Sequence, residues 1–251
     1  RHADVAHDPE LQIEAPLVME GCVYPYRHVE PAPDGVFTRS RAGLREDALV
    51  IGAFVSPMKL SQRCLGLWRD LLQRVPSAIL AFSPVQPALR TVFQRICAAG
   101  GIEATRIAFV PQGRDDAENQ ARYRLIDFVL DPLPYGGVNG TLEALDMHVP
   151  VVTLVGKRHA ERTSYSILMN LGIRDTIAET GNDYVQIAER LATDREFLQS
   201  IRRRIAEALR NSALTDMVTH TRNLERAYLS ALEQRAPEAL EDDRHHARSL
   251  G

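Results

Sequence analysis

The loop at residues 131–143 has the clearest chemical meaning in this chain. It follows a short apolar run, precedes a predicted helix and contains Gly136, Gly137, Gly140 and Asn139. Glycines let backbone N–H groups approach an anion closely, and the positive end of a helix dipole favours negative charge. The loop is therefore a candidate phosphate or diphosphate site. Its spacing is neither GxGxxG nor a Walker loop, so it predicts neither a dinucleotide site nor an ATPase.

A purely structural interpretation of the same loop is also open. The glycines would then serve a strand-to-helix turn that needs positive φ, with Asn139 as the N-cap and Glu143 in the first helical turn. That interpretation explains Asn139 well, but it explains less well why two prolines and a tyrosine precede the glycines. Glu143 is also well placed to bond the ribose hydroxyls of a nucleotide.

Basic residues follow two of the other apolar runs. Lys59 comes after the first run and can act as a point charge on a phosphate, although a solvated surface lysine is the plainer alternative. Lys157 and Arg158 follow the fifth run and face either a diphosphate or water. His159 is either a proton shuttle or a polar surface group near a helix start.

Composition excludes several classes of protein. The 251 residues include 30 basic and 33 acidic side chains, so the formal charge is −3 and no strong field for nucleic acid exists. No apolar run reaches the roughly 18 residues of a membrane helix. The sequence lacks GxSxG and HExxH, and no metal site is predicted, His245 and His246 being assigned to a solvated tail. Three scattered cysteines, read as reduced thiols, and the missing signal peptide predict a cytoplasmic location.

Short apolar runs alternate with helical periodicity between residues 49 and 233. The predicted strands are residues 49–55, 78–82, 107–110, 127–131 and 149–155. The predicted helices are residues 61–75, 87–99, 115–124, 140–147, 159–171, 181–192, 195–210 and 216–233. This order predicts an α/β fold with a Rossmann-like, doubly wound parallel sheet and a helical C-terminal segment. In such a sheet ligands bind where the strands end.

The predicted organisation has three parts. Residues 1–48, rich in proline and poor in periodicity, are interpreted as the end of another lobe and a connector. Residues 49–235 form the α/β domain, and the charged residues 236–251 form a flexible tail.

Several stretches in this order resemble glycosyltransferase family 41, which contains the O-linked N-acetylglucosamine transferases, the Spindly-type enzymes and the bacterial cytoplasmic N-glycosyltransferases. The resemblance covers about residues 49–233. The stretches that carry it are Met58-Lys59-Leu60 within residues 49–62, residues 106–109, residues 121–131, the PLPYGG loop at 132–137, residues 149–156, Leu171-Gly172, Asn211-Ser212 and residues 224–228.

The resemblance implies the C-terminal lobe of an inverting, metal-independent GT-B glycosyltransferase whose donor substrate is a UDP-sugar, with no further cofactor. In the family, the lysine matching Lys59 contacts the donor diphosphate, and it is the predicted catalytic residue. The other predicted donor-binding residues are Ser56 beside Lys59, Gln112 and Gly113 in the base-binding loop, Arg122 at the uracil pocket, Gly137, Val138, Asn139, Gly140 and Thr141 at the diphosphate, and Glu143 at the ribose.

The sequence also departs from parts of the family. O-linked transferases have His-Thr-Thr where this chain has Val138-Asn139-Gly140, and the Asn-Gly pair looks more like the N-glycosyltransferases. Glu143 replaces their Asp. Residues 121–124 look more like the bacterial O-linked branch, so the sugar and the acceptor atom stay open.

The predicted function is a protein glycosyltransferase that moves a hexose or N-acetylhexosamine to Ser/Thr or Asn side chains. The alternatives are a non-catalytic nucleotide-sugar-binding module and a glycosyltransferase acting on a glycan or small molecule. The predicted partners are a UDP-sugar, a protein acceptor and an N-terminal lobe or helical-repeat region outside this chain. Without that region the chain is expected to bind the donor but not to turn it over.

Overall fold

The computed structural model describes residues 2–4, 16–83, 85–210 and 212–249, with side chains described as far as residue 234. Of the sequence features above, Asn211 and the side chains of His245 and His246 lie outside the described residues. The described part of residues 1–48 contains no helix and no strand. The three-part division of the chain stays a prediction.

A six-stranded parallel sheet forms the centre of the molecule, in the order β3-β2-β1-β4-β5-β6. Its strands are β1 Leu49–Ala53, β2 Ala78–Phe82, β3 Ile107–Phe109, β4 Phe128–Leu130, β5 Val151–Leu154 and β6 Ile177–Ala178. The chain builds outward from β1 in one direction and from β4 in the other. The strand order therefore reverses between these two neighbours, and a crevice opens at their carboxyl ends.

Helices connect the strands and extend the C-terminal end. They are α1 Gln62–Arg74, α2 Pro87–Ala99, α3 Asp116–Ala121, α4 Asn139–Asp146, α5 Thr163–Asn170, α6 Gly181–Thr193, α7 Arg195–Arg210 and α8 Met217–Ser249. Short 3-10 turns lie at Pro57–Lys59, Ala104–Arg106, Arg122–Leu125 and His159–Glu161. The doubly wound fold predicted from the alternating pattern is confirmed, and only the two-residue β6 was missed.

Helix α1 shows how sequence pattern becomes packing. The predicted apolar face, Leu65, Trp68, Leu71 and Leu72, is buried, together with Cys64. Trp68 is completely buried, and its indole N–H donates to the Tyr184 hydroxyl at 3.1 Å. That hydroxyl donates to the Asp131 backbone carbonyl at 2.9 Å. The core is thus hydrogen-bonded to the end of β4.

The three cysteines are free and buried. Burial raises the pKa of Cys64 to about 12 and that of Cys97 to about 11. Both thiols therefore stay protonated at neutral pH, which makes them inert packing groups.

The segment at residues 16–48 lies over the sheet domain and is fastened at several points. Asp146 accepts hydrogen bonds from the Tyr26 hydroxyl at 3.1 Å and the Val29 N–H at 3.3 Å, and it contacts His28 Nδ1 at 2.7 Å. Arg39 donates to the carboxylate of Asp127 at 3.0 Å, just before β4. These contacts hold the segment in place, so that Tyr24 within it lies at the crevice.

None of the helices in the described residues is long and apolar enough to cross a bilayer.

Candidate functional site

A cavity of about 450 Å³ lies at the carboxyl ends of β1 and β4, where the strand order reverses. Seven of the predicted site residues line it: Ser56, Lys59, Gly137, Val138, Asn139, Gly140 and Thr141. Other lining residues include Tyr24, Phe54, Asp131, Tyr135, His159 and Thr163. The topology explains why these residues lie together, because parallel strands bring the segments that follow β1 and β4 to one edge of the sheet.

Lys59 bridges the two sides of the crevice. The 3-10 turn after β1 places it, and its ammonium donates to the Gly136 carbonyl at 2.8 Å. The same nitrogen lies 4.6 Å from the centre of the Tyr135 ring, within cation–π range. Burial lowers the pKa of Lys59 from its ordinary value, while the nearby Asp131 carboxylate opposes that shift. A half-buried cation thus sits beside the glycine loop.

A buried carboxylate holds the loop from below. Asp131 is only 4% exposed; its Oδ1 accepts from the Gly137 N–H and its Oδ2 from the Thr153 hydroxyl, both at 2.7 Å. Burial raises the pKa of Asp131 to about 6, against hydrogen bonds from Thr153 and Gly137 that lower it. Asp131 was predicted only as the last residue of a strand. It is a structural anchor of the cavity floor.

Close packing, and not positive φ, explains Gly136 and Gly137 in this loop. The glycines with positive φ in the described residues lie elsewhere, so the positive-φ interpretation of Gly136, Gly137 and Gly140 is wrong. A Cβ on Gly136 would lie 2.7 Å from Thr163 Oγ1, and one on Gly137 would lie 2.8 Å from Thr141 Oγ1. Real Cβ contacts are longer, so only glycine lets the loop pack against α4 and α5.

Helix α4 points its N-terminus into the cavity. It begins at Asn139, with Val138 at the N-cap and no side-chain cap, so the interpretation of Asn139 as N-cap is wrong. Asn139 is exposed on the cavity wall. Thr141 Oγ1 lies 2.7 Å from Ser164 Oγ, which donates to the Gly137 carbonyl at 3.0 Å. The N–H groups of the first helical turn lack intrahelical partners, which makes this end suited to an anion.

Four predicted site residues do not line this cavity: Gln112, Gly113, Arg122 and Glu143. Arg122 is buried, bonds Ser83 Oγ and lies 5.4 Å from the Phe54 ring. Burial lowers the pKa of Arg122 from its ordinary value. Its guanidinium reaches the cavity only through Phe54, which is a lining residue.

Glu143 also lies behind the lining residues. It is past the first turn of α4, so its predicted first-turn position is wrong. Its carboxylate accepts from the Tyr123 hydroxyl at 3.0 Å, and burial raises its pKa. The Tyr123 ring contacts the Phe54 ring in a tilted arrangement, with 4.8 Å between the ring centres. Neither Arg122 nor Glu143 lines the cavity, and each is linked to the lining residue Phe54, Arg122 directly and Glu143 through Tyr123.

Gln112 and Gly113 lie in the loop after β3, at the same edge of the sheet. Gln112 is exposed, and the Gly113 N–H donates to Asn119 Oδ1 at 2.9 Å. A Cβ on Gly113 would lie 2.6 Å from the Asn119 nitrogen, so the loop folds tightly onto α3. Neither residue lines the cavity.

The loop after β5 contributes one of its three polar candidates. His159 lines the cavity, whereas Lys157 and Arg158 are exposed outside the lining. Tyr24 and Thr163 were not predicted. Thr163 Oγ1 is buried at the cavity wall without a hydrogen-bond partner in the described structure. Among the residues that the structure describes, His, Cys, Asp and Glu side chains form no group of three or more that could hold a metal ion.

Known proteins resemble this chain in both sequence and fold. The profile of glycosyl transferase family 41 matches residues 28–224. The chain belongs to glycosyltransferase family 41. A probable UDP-N-acetylglucosamine–peptide N-acetylglucosaminyltransferase SPINDLY of Petunia hybrida is 31% identical over 203 residues, which are 80% of this chain and 22% of the relative. A UDP-N-acetylglucosamine–peptide N-acetylglucosaminyltransferase of Caenorhabditis elegans is 31% identical over 199 residues, 78% of this chain and 17% of that protein.

Two solved structures share this fold, and the first of them also resembles the chain in sequence. A mutant O-GlcNAc transferase of Thermobaculum terrenum superposes with a TM-score of 0.66 at 30% identity, over 79% of this chain and 38% of that one. A sucrose-phosphate synthase of Thermosynechococcus elongatus shares the fold, with a TM-score of 0.58 at 15% identity over 84% and 52% of the two chains. The chain spans about a fifth of the length of the curated family 41 relatives that it matches.

Proposed function

We propose that this chain is the donor-binding lobe of an inverting, UDP-sugar-dependent protein glycosyltransferase. The observation that carries the proposal is the Lys59 ammonium, which reaches across the crevice to the Gly136 carbonyl beside the N-terminus of α4. A cation and unpaired helix N–H groups on one cavity wall suit the diphosphate of a sugar nucleotide.

The aromatic side of the cavity suits the nucleoside. Phe54 offers a ring face at the wall, and Arg122 and Glu143 lie directly behind it. In the proposed complex the uracil lies toward this side and the loop with Gln112 and Gly113, and Glu143 bonds the ribose after its Tyr123 contact rearranges. Ser56, Val138, Asn139, Gly140 and Thr141 surround the diphosphate.

The proposed reaction is a single displacement at the sugar's anomeric carbon. The acceptor oxygen or nitrogen forms a bond to C1 on the face opposite UDP, and the C1–O bond breaks with its electron pair staying on the β-phosphate. Negative charge therefore grows on UDP in the transition state. Lys59 and the amides at the start of α4 stabilise that charge in a partly desolvated site. The acceptor is a Ser/Thr hydroxyl or an Asn amide, bound with help from a second lobe.

The test compares the chain's two lysines, Lys59 and Lys157, which provide a matched pair of variants. In the full-length protein, mass spectrometry measures sugar addition to acceptor peptides from UDP-N-acetylglucosamine and UDP-glucose. Lys59→Met is expected to lower the transfer rate by about 10²- to 10³-fold, as removal of one charge-stabilising donor does elsewhere. Lys157→Met lies outside the cavity lining and is expected to transfer normally.

Other outcomes of this test would favour a glycan or small-molecule acceptor, or a binding module without catalytic activity. Product on a glycan or small molecule, with no mass increase on any peptide, contradicts a protein acceptor. Tight UDP-sugar binding without transfer to any acceptor favours a non-catalytic binding module. Equal rates for Lys59→Met and the unaltered protein contradict the proposed site.

A further inference from the structure

Three side chains at one edge of the cavity form a continuous hydrogen-bonded chain. Asp4 Oδ2 lies 2.9 Å from His159 Nδ1, and the Tyr24 hydroxyl lies 2.9 Å from His159 Nε2. A carboxylate can only accept, so Nδ1 of the neutral imidazole carries the proton and Nε2 accepts from the Tyr24 hydroxyl. The order of the groups, carboxylate then imidazole then hydroxyl, is that of a proton relay.

The carboxylate end of this chain is held independently of the relay. The Arg162 Nε–H donates to the His2 carbonyl at 3.3 Å, and the His2 ring packs edge-on against Tyr165 at 6.2 Å. Ala3, between His2 and Asp4, is buried. The start of α5 thus fixes residues 2–4, so the Asp4 carboxylate can orient the imidazole.

The hydroxyl end of the chain faces the proposed reaction centre. Tyr24 and His159 both line the cavity that contains Lys59. Burial is the main cause that raises the pKa of Tyr24 to about 12, and Cys22, Asp4 and Tyr135 add to it. Tyr135 is the ring that lies 4.6 Å from the Lys59 ammonium. A phenol in this setting keeps its proton, so it conducts a proton to a better base and is not itself the base.

We propose that Tyr24 and His159 are the relay that removes the acceptor's proton during sugar transfer, with Asp4 as the positioning residue. This assignment rests on the proposed function. As the acceptor atom bonds to C1, its proton passes to Tyr24 Oη while the phenol proton passes to His159 Nε2. The C1–O bond breaks, and UDP leaves with the electron pair. The imidazolium is paired with Asp4 and returns its proton to solvent through its exposed ring.

The proposed reaction needs a base, and this need supports the assignment. An uncharged hydroxyl or amide becomes a competent nucleophile only when a positioned base takes its proton, and such bases contribute about 10²- to 10⁴-fold. Asp131 is occupied by the Gly137 N–H and Thr153, and Glu143 by Tyr123. His159 differs from the other titratable side chains that line the cavity in the described residues. Its Nε2 accepts a hydrogen bond from the Tyr24 hydroxyl, and Tyr24 also lines the cavity.

The experiment measures kcat, KM for the UDP-sugar and UDP affinity in the full-length protein. The variants are His159→Gln, Tyr24→Phe and Asp4→Asn, with Lys157→Gln as the control outside the cavity. His159→Gln is expected to lower kcat by about 10²- to 10⁴-fold, with KM for the UDP-sugar and UDP affinity unchanged. Tyr24→Phe should lower kcat in the same direction, and Asp4→Asn less than His159→Gln.

A second measurement does not need turnover. In ¹⁵N-labelled protein, NMR of the imidazole nitrogens is expected to show His159 with its proton on Nδ1 at neutral pH. Asp4→Asn should shift the population toward the Nε2–H form. A dominant Nε2–H form in the unaltered protein would overturn the relay.

The outcomes separate the relay from the proposed function. If Lys59→Met loses transfer but His159→Gln keeps its kcat, the relay is wrong and the proposed function stands. Loss of UDP affinity in proportion to activity in His159→Gln shows a structural role and also overturns the relay. If the unaltered protein binds UDP and transfers to no acceptor, both proposals fall.

Discussion

Replacing Asp131 with asparagine removes the buried negative charge but can keep the hydrogen bonds of the side chain. The variant therefore measures what the charge alone costs the folded state. The carboxylate lies under the glycine loop, 4% exposed, with the Gly137 N–H on Oδ1 and the Thr153 hydroxyl on Oδ2. Asparagine has nearly the same shape. Its oxygen can accept from Gly137, and its NH₂ can donate to the Thr153 oxygen once that hydroxyl turns.

The magnitude follows from the shift in pKa. Burial raises the Asp131 pKa from 3.8 to about 6. Two units correspond to about 3 kcal/mol. Between these values the native protein keeps a proton that the unfolded chain has released, so the free energy of unfolding falls as pH rises through the window. The charged carboxylate therefore costs the native state about 3 kcal/mol above pH 6, and Asp131→Asn removes this cost.

Urea unfolding at pH 4, 5, 6 and 7.5 measures the effect. The free energy of unfolding of Asp131→Asn minus that of the unaltered protein is expected to rise by about 2 kcal/mol from pH 4 to 7.5, since part of the effect already lies below pH 4. Contributions from other titrating groups cancel in that difference. Asp47→Asn, at an exposed aspartate paired with Arg45, is the control and should show no such rise across pH 5 to 7.5. A difference for Asp131→Asn that stays constant with pH would show that burial does not raise the pKa of this carboxyl.

Three further substitutions test the packing around the site. Gly136→Ala would place a Cβ 2.7 Å from Thr163 Oγ1, so calorimetry should show UDP affinity reduced by about tenfold or more as the loop shifts. Gly66→Ala, inside α1 with nothing within 4 Å of the new Cβ, should raise the free energy of unfolding by about 0.5–1 kcal/mol and leave UDP affinity unchanged. Tyr184→Phe leaves the buried Trp68 indole N–H without its acceptor, so thermal unfolding should show a loss of about 1–3 kcal/mol. An unchanged UDP affinity for Gly136→Ala, or an unchanged free energy of unfolding for Gly66→Ala or Tyr184→Phe, would contradict the packing described.

The fold could be predicted from sequence because its central strands are short apolar runs buried on both faces. β1, β2 and β4 lie where those runs predicted them, since a central parallel strand needs apolar residues on both sides. β6 has two residues and pairs only at the sheet edge, so it leaves no periodic signal. The predicted helix at 115–124 ends as α3 at Ala121 and continues as a 3-10 turn, a change of hydrogen bonding that composition does not show.

The sequence predicted those parts of the candidate site whose positions depend only on the strand order. Lys59 and the loop after β4 follow neighbouring parallel strands, so their meeting follows from the fold. Tyr24 could not be predicted, because its place depends on tertiary contacts of a segment without helix or strand, such as those of Asp146. The positive-φ interpretation of the loop glycines was wrong, since contacts with α5 and α4 require Gly136 and Gly137. The interpretation of this loop as an anion site stays a prediction.

The UDP affinity of Lys59→Met relative to Lys157→Met shows whether Lys59 binds the donor. In the proposed complex the Lys59 ammonium, which donates to the Gly136 carbonyl in this structure, binds the diphosphate beside the start of α4. A charged hydrogen bond is worth about 1.5–3 kcal/mol, so calorimetry should show UDP binding weakened roughly 10- to 150-fold in Lys59→Met. Lys157→Met should bind UDP as the unaltered protein does. Equal UDP affinities for the two variants would contradict the account.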